Sequence, residues 1–151
     1  MAAKPKVFLD TSALFAAVHS EIGGARLILK LGEAGAIALW VGPTVLKEAE
    51  AVLDRKSPRS KPLLALLLDR CGLVVGGTPD DVTLRQAITV VGYAPDAQIV
   101  AEALALGADY LVSFDRQHLV GNPHASELAF LIGTAGDLLA WYRQRLLTEM
   151  G

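Results

Sequence analysis

Residues 96–115 read DAQIVAEALALGADYLVSFD, and the order of their parts decides the fold. Asp96 to Leu106 repeats apolar residues at helical spacing, Gly107 is a helix stop, and Tyr110 to Phe114 is a short strand-forming run. A helix of about 10 residues spans some 15 Å, and a strand of about 5–6 residues spans some 18 Å. The two run in opposite directions, so the chain returns to the level from which it started. Asp96 and Asp115 therefore share one edge.

The same grammar extends to both sides. Lys6 to Asp10 is a short apolar run that stops at a carboxylate, read as a buried strand. Ala13 to Leu31 fits two short helices broken at Gly23-Gly24, and Gly32 to Gly35 is a stop before a second strand, Ala36 to Val41. Pro43-Thr44 opens a helix to about Leu53. Asp54 to Pro62 (DRKSPRSKP) shifts in composition and predicts a surface loop. Leu63 to Arg70 reads as a helix, Leu73 to Val75 as a strand, and Pro79 to Val91 as a helix broken by Tyr93-Ala-Pro95. Beyond a loop at Gly121-Asn-Pro123, Leu128 to Ile132 is the last strand and Asp137 to Leu147 the last helix. Five strands separated by helices predict an α/β sandwich with a mostly parallel sheet. Such sheets bind ligands beyond the carboxyl ends of their strands.

Composition sets limits. A chain of 151 residues corresponds to one domain, and 52% apolar with 20% charged residues excludes disorder. The single Cys71 excludes an internal disulfide framework and a cysteine zinc cage, and points to a reducing, cytoplasmic setting. With 14 basic and 16 acidic residues the net charge is −2, so bulk charge gives no broad grip on nucleic acid or membrane. No apolar run approaches the ~20 residues of a membrane span. The nearest, Pro62 to Gly77, contains Asp69 and Arg70, and Asp10 interrupts what would otherwise resemble a signal peptide.

The acids are then the informative feature. Asp10 ends the first strand, Glu48 lies about a turn into the helix after the second, Asp115 follows the fourth, and Asp96 returns to that edge. Four converging carboxylates repel one another unless a cation joins them. Oxygen ligands with few histidines favour Mg²⁺ or Mn²⁺ over zinc, and such an ion could activate water and neutralise a phosphodiester. Singly, each acid also has an ordinary reading: Asp10 and Asp96 as helix caps, Glu48 as a solvated helix residue competing with Glu50. His19, His118 and His124 lack mutual metal-ligand spacing and read as ordinary histidines. Arg55, Lys56, Arg59 and Lys61 form the one basic cluster, able to track a phosphate backbone, and Arg116 beside Asp115 could neutralise a scissile phosphate. Gly76-Gly77-Thr78 lacks the lysine of a phosphate-binding loop.

Three segments, VFLDTS (7–12), PTVLKEAEAVL (43–53) and residues 96–115, resemble the PIN-domain ribonucleases, a family that includes the VapC-like toxins of VapBC toxin–antitoxin pairs. The resemblance runs from about Lys6 to Leu147. It implies a five-stranded parallel sheet in the order 3-2-1-4-5 within an α/β/α sandwich, and Mg²⁺- or Mn²⁺-dependent endonuclease action on RNA. It implies Asp10, Asp96 and Asp115 as metal ligands, Glu48 as a ligand or water-orienting base, and Thr11, Ser12 and Ser113 as supporting hydroxyls. An antitoxin partner and a homodimer are further expectations from the family, and no membrane partner is expected. Two positions depart from the family pattern. Phe114 stands where glycine is usual, read as packing at a strand end ahead of the alternative of a ring that restricts or stacks on substrate, and Gln117 stands where many members carry an acid, which leaves the place of a second ion open. The alternatives are a haloacid-dehalogenase-type phosphatase, which wants an aspartate where Ser12 stands, and a non-catalytic RNA-binding or interaction module of the same fold.

Overall fold

A computed structural model describes residues 3–150. Lys6–Leu9 forms β1, and Val7, Phe8 and Leu9 are all buried, as a parallel strand covered on both faces requires. Its neighbours are β2 (Ala38–Val41) and β4 (Tyr110–Val112), flanked in turn by β3 (Val74–Val75) and β5 (Leu131–Gly133). The order is β3-β2-β1-β4-β5 and every pair is parallel, with Phe8 opposite both Trp40 and Leu111. The expected order therefore holds, and the sheet is wholly rather than mostly parallel. Among the described residues seven α-helices flank it: α1 (Thr11–His19), α2 (Gly24–Glu33), α3 (Pro43–Lys56), α4 (Lys61–Arg70), α5 (Asp81–Val91), α6 (Ala94–Ala105) and α7 (Ala135–Met150). Phe8, Leu14, Ile28, Leu39, Leu111 and Leu138 are among the fully buried side chains of one continuous core. Among the described residues, no helix is long and apolar enough to cross a membrane.

Several boundaries differ from those expected. The segment 54–62 is not a loop: α3 continues through Lys56, a 3-10 turn covers Pro58–Ser60, and α4 already begins at Lys61. Its prolines sit in first turns, where a missing N–H costs nothing, and Arg55 and Lys56 sit in the last turn of α3, where positive charge suits the helix dipole. The break expected after Val91 is present, but for the same reason Pro95 lies inside the first turn of α6, which starts at Ala94 rather than Asp96. The last strand starts at Leu131, later than expected, because a 3-10 turn takes up Ala125–Glu127 and Leu131 is the residue that registers with Tyr110. β3 is reduced to two exposed valines at the sheet edge.

The strand order has a functional consequence. From the central β1 the chain builds outward through β2 and β3 on one side, and β4 and β5 lie on the other, so the connections diverge between β1 and β4. That divergence opens a crevice beyond the carboxyl ends of these two strands. The Asp10 N–H donates to the Val112 carbonyl at 3.1 Å, holding the two strand ends side by side. Asp10 leaves β1 at this point, and Ser113-Phe114-Asp115 leaves β4.

Candidate active site

Asp10 is only 4% exposed and caps α1: its Oδ1 accepts from the Ala13 N–H at 2.8 Å and from the Ser12 hydroxyl at 2.7 Å. The capping role and a site role thus coexist in one side chain. Burial raises its carboxyl above the ordinary range, the hydroxyls of Ser113 and Ser12 and the Ala13 amide oppose the rise, and nearby Asp115 adds to it. The two serines also tie Asp10 to the end of β4. Phe114 N–H donates to Ser12 Oγ at 3.0 Å, and Asp115 N–H donates to Ser113 Oγ at 2.9 Å.

Asp115 stands at the start of a turn. Its Oδ1 accepts the amides of Gln117 at 2.8 Å and His118 at 3.1 Å; burial pushes its carboxyl up, but these bonds and its side-chain partners outweigh that and hold it below the ordinary range. Its Oδ2 is left to face His118 Nδ1 at 3.4 Å. Asp96, in the first turn of α6, points its Oδ2 at the same nitrogen at 3.1 Å, yet that buried oxygen receives no hydrogen bond. Removal from water, then the adjacent Asp115 carboxyl, push Asp96 up to about 6. Donor atoms of Asp96, Asp115 and His118 all lie within 4.8 Å of one another.

Glu48 takes its place through a different link: the Thr11 hydroxyl donates to its Oε2 at 2.6 Å. Glu50 is exposed, so of the two acids on α3 it is Glu48 that reaches the residue after Asp10. A carboxylate that sequence reasoning missed fixes α3 itself. Glu102 on α6 is 2% exposed and accepts the Thr44 N–H at 2.9 Å, the Thr44 hydroxyl, and the Gln98 amide at 3.2 Å. Thr44 lies one helical turn before Glu48. The missed signal was a lone charge inside the apolar run from Ala97 to Ala103.

Two clefts flank the acids. One, of about 590 Å³, is walled by Phe15, Val52 and Phe114, carries Lys56, and is shared with Thr11 and Ser12. Phe114 is 41% exposed there, so it is not the packed strand-end residue expected. The other, about 410 Å³, is lined by Arg116, Gln117, His118 and His124 together with the corner at Gly92. The basic residues are dispersed accordingly: Lys61 is paired with Asp54 at 2.7 Å, while Arg55 and Arg59 are exposed on the outer end of α3 and the turn after it.

The family model described as PIN domain matches residues 6–117. The chain belongs to the PIN-domain family. A comparison with curated proteins found no match. Solved structures share its fold at low identity. VapBC2 from Rickettsia felis, bound to a DNA fragment from its promoter, is 16% identical with a TM-score of 0.60, covering 84% of this chain and 96% of that one. PAE2754 from Pyrobaculum aerophilum is 18% identical with a TM-score of 0.61, covering 93% and 90%. VapC20 from Mycobacterium tuberculosis, described as a sarcin–ricin loop cleaving toxin, is 19% identical with a TM-score of 0.54, covering 74% and 91%.

In this PIN domain the donor set suits a hard divalent cation. The buried Asp96 oxygen without a hydrogen bond, its carboxyl pushed up to about 6 and the second acid beside it form an arrangement that a positive charge would stabilise. One correction follows for the histidines. His19 and His124 stand apart, but His118 joins the acids through the spacing Asp115-x-x-His118, a signal invisible when the histidines are compared only with one another.

Proposed function

We propose that the chain is a divalent-metal-dependent endoribonuclease, with Asp10, Asp96 and Asp115 holding the ion and Glu48 serving as a further ligand or as the base that orients water. The observation carrying this reading is the meeting of Asp96 and Asp115, with Asp10 linked to them through Ser12 and Ser113, at the crevice between β1 and β4. When bound, Mg²⁺ or Mn²⁺ supplies a Lewis acid that acidifies water and neutralises phosphoryl charge. The remaining work belongs to the protein. Ser12, Ser113 and Thr11 fix the carboxylates before substrate arrives, which lowers the reorganisation needed at the moment of reaction. Lys56 and Arg116, one in each flanking cleft, would meet backbone phosphates, and the exposed ring of Phe114 would offer a stacking face to an unpaired base.

An unpaired base with its own phosphate backbone describes single-stranded RNA better than a small phosphoester. The phosphatase alternative lacks its second aspartate, since Ser12 spends its hydroxyl on Asp10. The shared fold with VapBC2 and VapC20 supports a toxin role and an antitoxin partner for this chain, in the cytoplasm. The test is Asp10→Asn. Asparagine keeps the cap to Ala13 and the bond from Ser12, so folding should survive, while Mn²⁺- or Mg²⁺-dependent RNA cleavage should disappear. Unchanged cleavage by the folded variant would remove Asp10 from the mechanism, and no cleavage by the metal-supplied wild type would return the non-catalytic reading to first place.

A further inference from the structure

We infer that His118 is a nitrogen ligand of the divalent ion, filling the place that Gln117 leaves without an acid, and that the site consequently prefers Mn²⁺ to Mg²⁺. The inference rests on the metal-dependent reading above and adds a donor to it.

Three facts point the same way. First, the free atoms face one point. Asp115 Oδ1 is occupied by two backbone amides, so only its Oδ2 is available, and Asp96 Oδ2 has no hydrogen-bonded partner. His118 Nδ1 lies 3.1 and 3.4 Å from these two oxygens. Ligands on adjacent corners of an octahedron with bonds of about 2.0–2.1 Å stand about 2.9 Å apart, so the spacing needs little adjustment to receive an ion.

Second, the imidazole is held in place before any ion arrives. Its backbone N–H is bound by Asp115 Oδ1, and its ring stacks on Tyr93 at 4.2 Å between centroids with 8° between planes. Tyr93 caps the helix that carries Asp96, so the residue that orients the imidazole is three positions from the carboxylate it faces. A ligand fixed in this way loses less freedom on binding. Third, the chemistry discriminates between ions. A nitrogen donor among carboxylates shifts affinity away from Mg²⁺, which takes oxygen almost exclusively, and towards Mn²⁺.

The test uses the full chain loaded with Mn²⁺ alone, without RNA. Pulsed electron paramagnetic resonance should detect nitrogen modulation from a directly bound imidazole. The signal should vanish in His118→Asp and His118→Gln and persist in His19→Gln and His124→Gln. Mn²⁺ affinity should fall in His118→Gln by about 10–100-fold, the range seen when a metal site loses even a supporting group, and competition with Mg²⁺ should show the Mn²⁺ preference falling in His118→Asp. Thermal melts of both His118 variants separate a lost ligand from a lost fold. A Mn²⁺-loaded wild type with no nitrogen signal, or a signal that survives in a folded His118 variant, would overturn the inference while leaving metal-dependent cleavage intact. Failure of Mn²⁺ to bind the wild type at all would overturn both readings.

Discussion

Asp96 holds its proton in the folded chain up to about 6, against 3.8 for an ordinary aspartate. Between those two values the folded state binds more protons than the unfolded state, so acidification favours folding. Asp115 is shifted the other way, and its influence falls below 3.8, outside this window. Metal-free protein should therefore melt higher at pH 5 than at pH 7, by about 2–4 °C for each 1 kcal/mol involved in a chain of this size. Asp96→Asn should flatten that rise, and saturating Mn²⁺ should reverse it, because the ion needs the carboxylate ionised. Calorimetric scans of the three samples across this range decide the matter. A melting temperature independent of pH between 5 and 7 would mean that Asp96 is not desolvated as described. At this scale the sequence was legible where a residue's surroundings are local. Asp10 and Asp115 could be placed from strand ends and Asp96 from the length of its helix, whereas Ser12 and Ser113 rested on the family resemblance. Glu102 could not, because its partners at Thr44 lie 58 positions away.

The helix α3 depends on one close approach. Gly42 immediately precedes it, and a Cβ there would stand 2.0 Å from Glu102 Oε1. The backbone at Gly42 is extended, with φ −93°, and would accept any residue, so the need for glycine is one of space and not of conformation. Gly42→Ala should lower stability by about 1–3 kcal/mol, measured as a reduced denaturant midpoint with an unchanged slope. It should also weaken cleavage, since α3 carries Glu48 towards Thr11. An unchanged midpoint would show that the Glu102 side chain yields freely. Element boundaries were less legible than element types, and the misplacements share a cause. Proline at 58, 62 and 95 was read as punctuation, whereas each occupies a first turn. The start of β5 is set by its pairing with Tyr110, a register that no local pattern records.

On the scale of the whole molecule, the charge of −2 acquires a location. Of the 16 acids, Asp96 and Asp115 meet, Asp10 is tied to Asp115 through Ser113, and Glu48 is bound to Thr11 beside Asp10, while the basic residues are scattered and Lys61 is already paired. Affinity for RNA should accordingly rest on the bound cation more than on basic surface. A catalytically inert complex, such as wild type with a non-cleavable RNA and Mn²⁺, should lose affinity by about tenfold or more when EDTA is added, a change too large for lost screening alone. Equal affinity with and without EDTA, measured by fluorescence anisotropy at fixed ionic strength, would assign RNA binding to Lys56, Arg116 and their neighbours instead. The pairing of β1 with β4 has a last consequence, in time. Residues 7–9 wait for residues 110–112 before the crevice exists, and the turn that carries Asp115 and His118 comes later still. During synthesis the chain therefore cannot assemble its acids until this late segment has emerged from the ribosome. On the proposed reading, cleavage is open to this chain only late in its own translation.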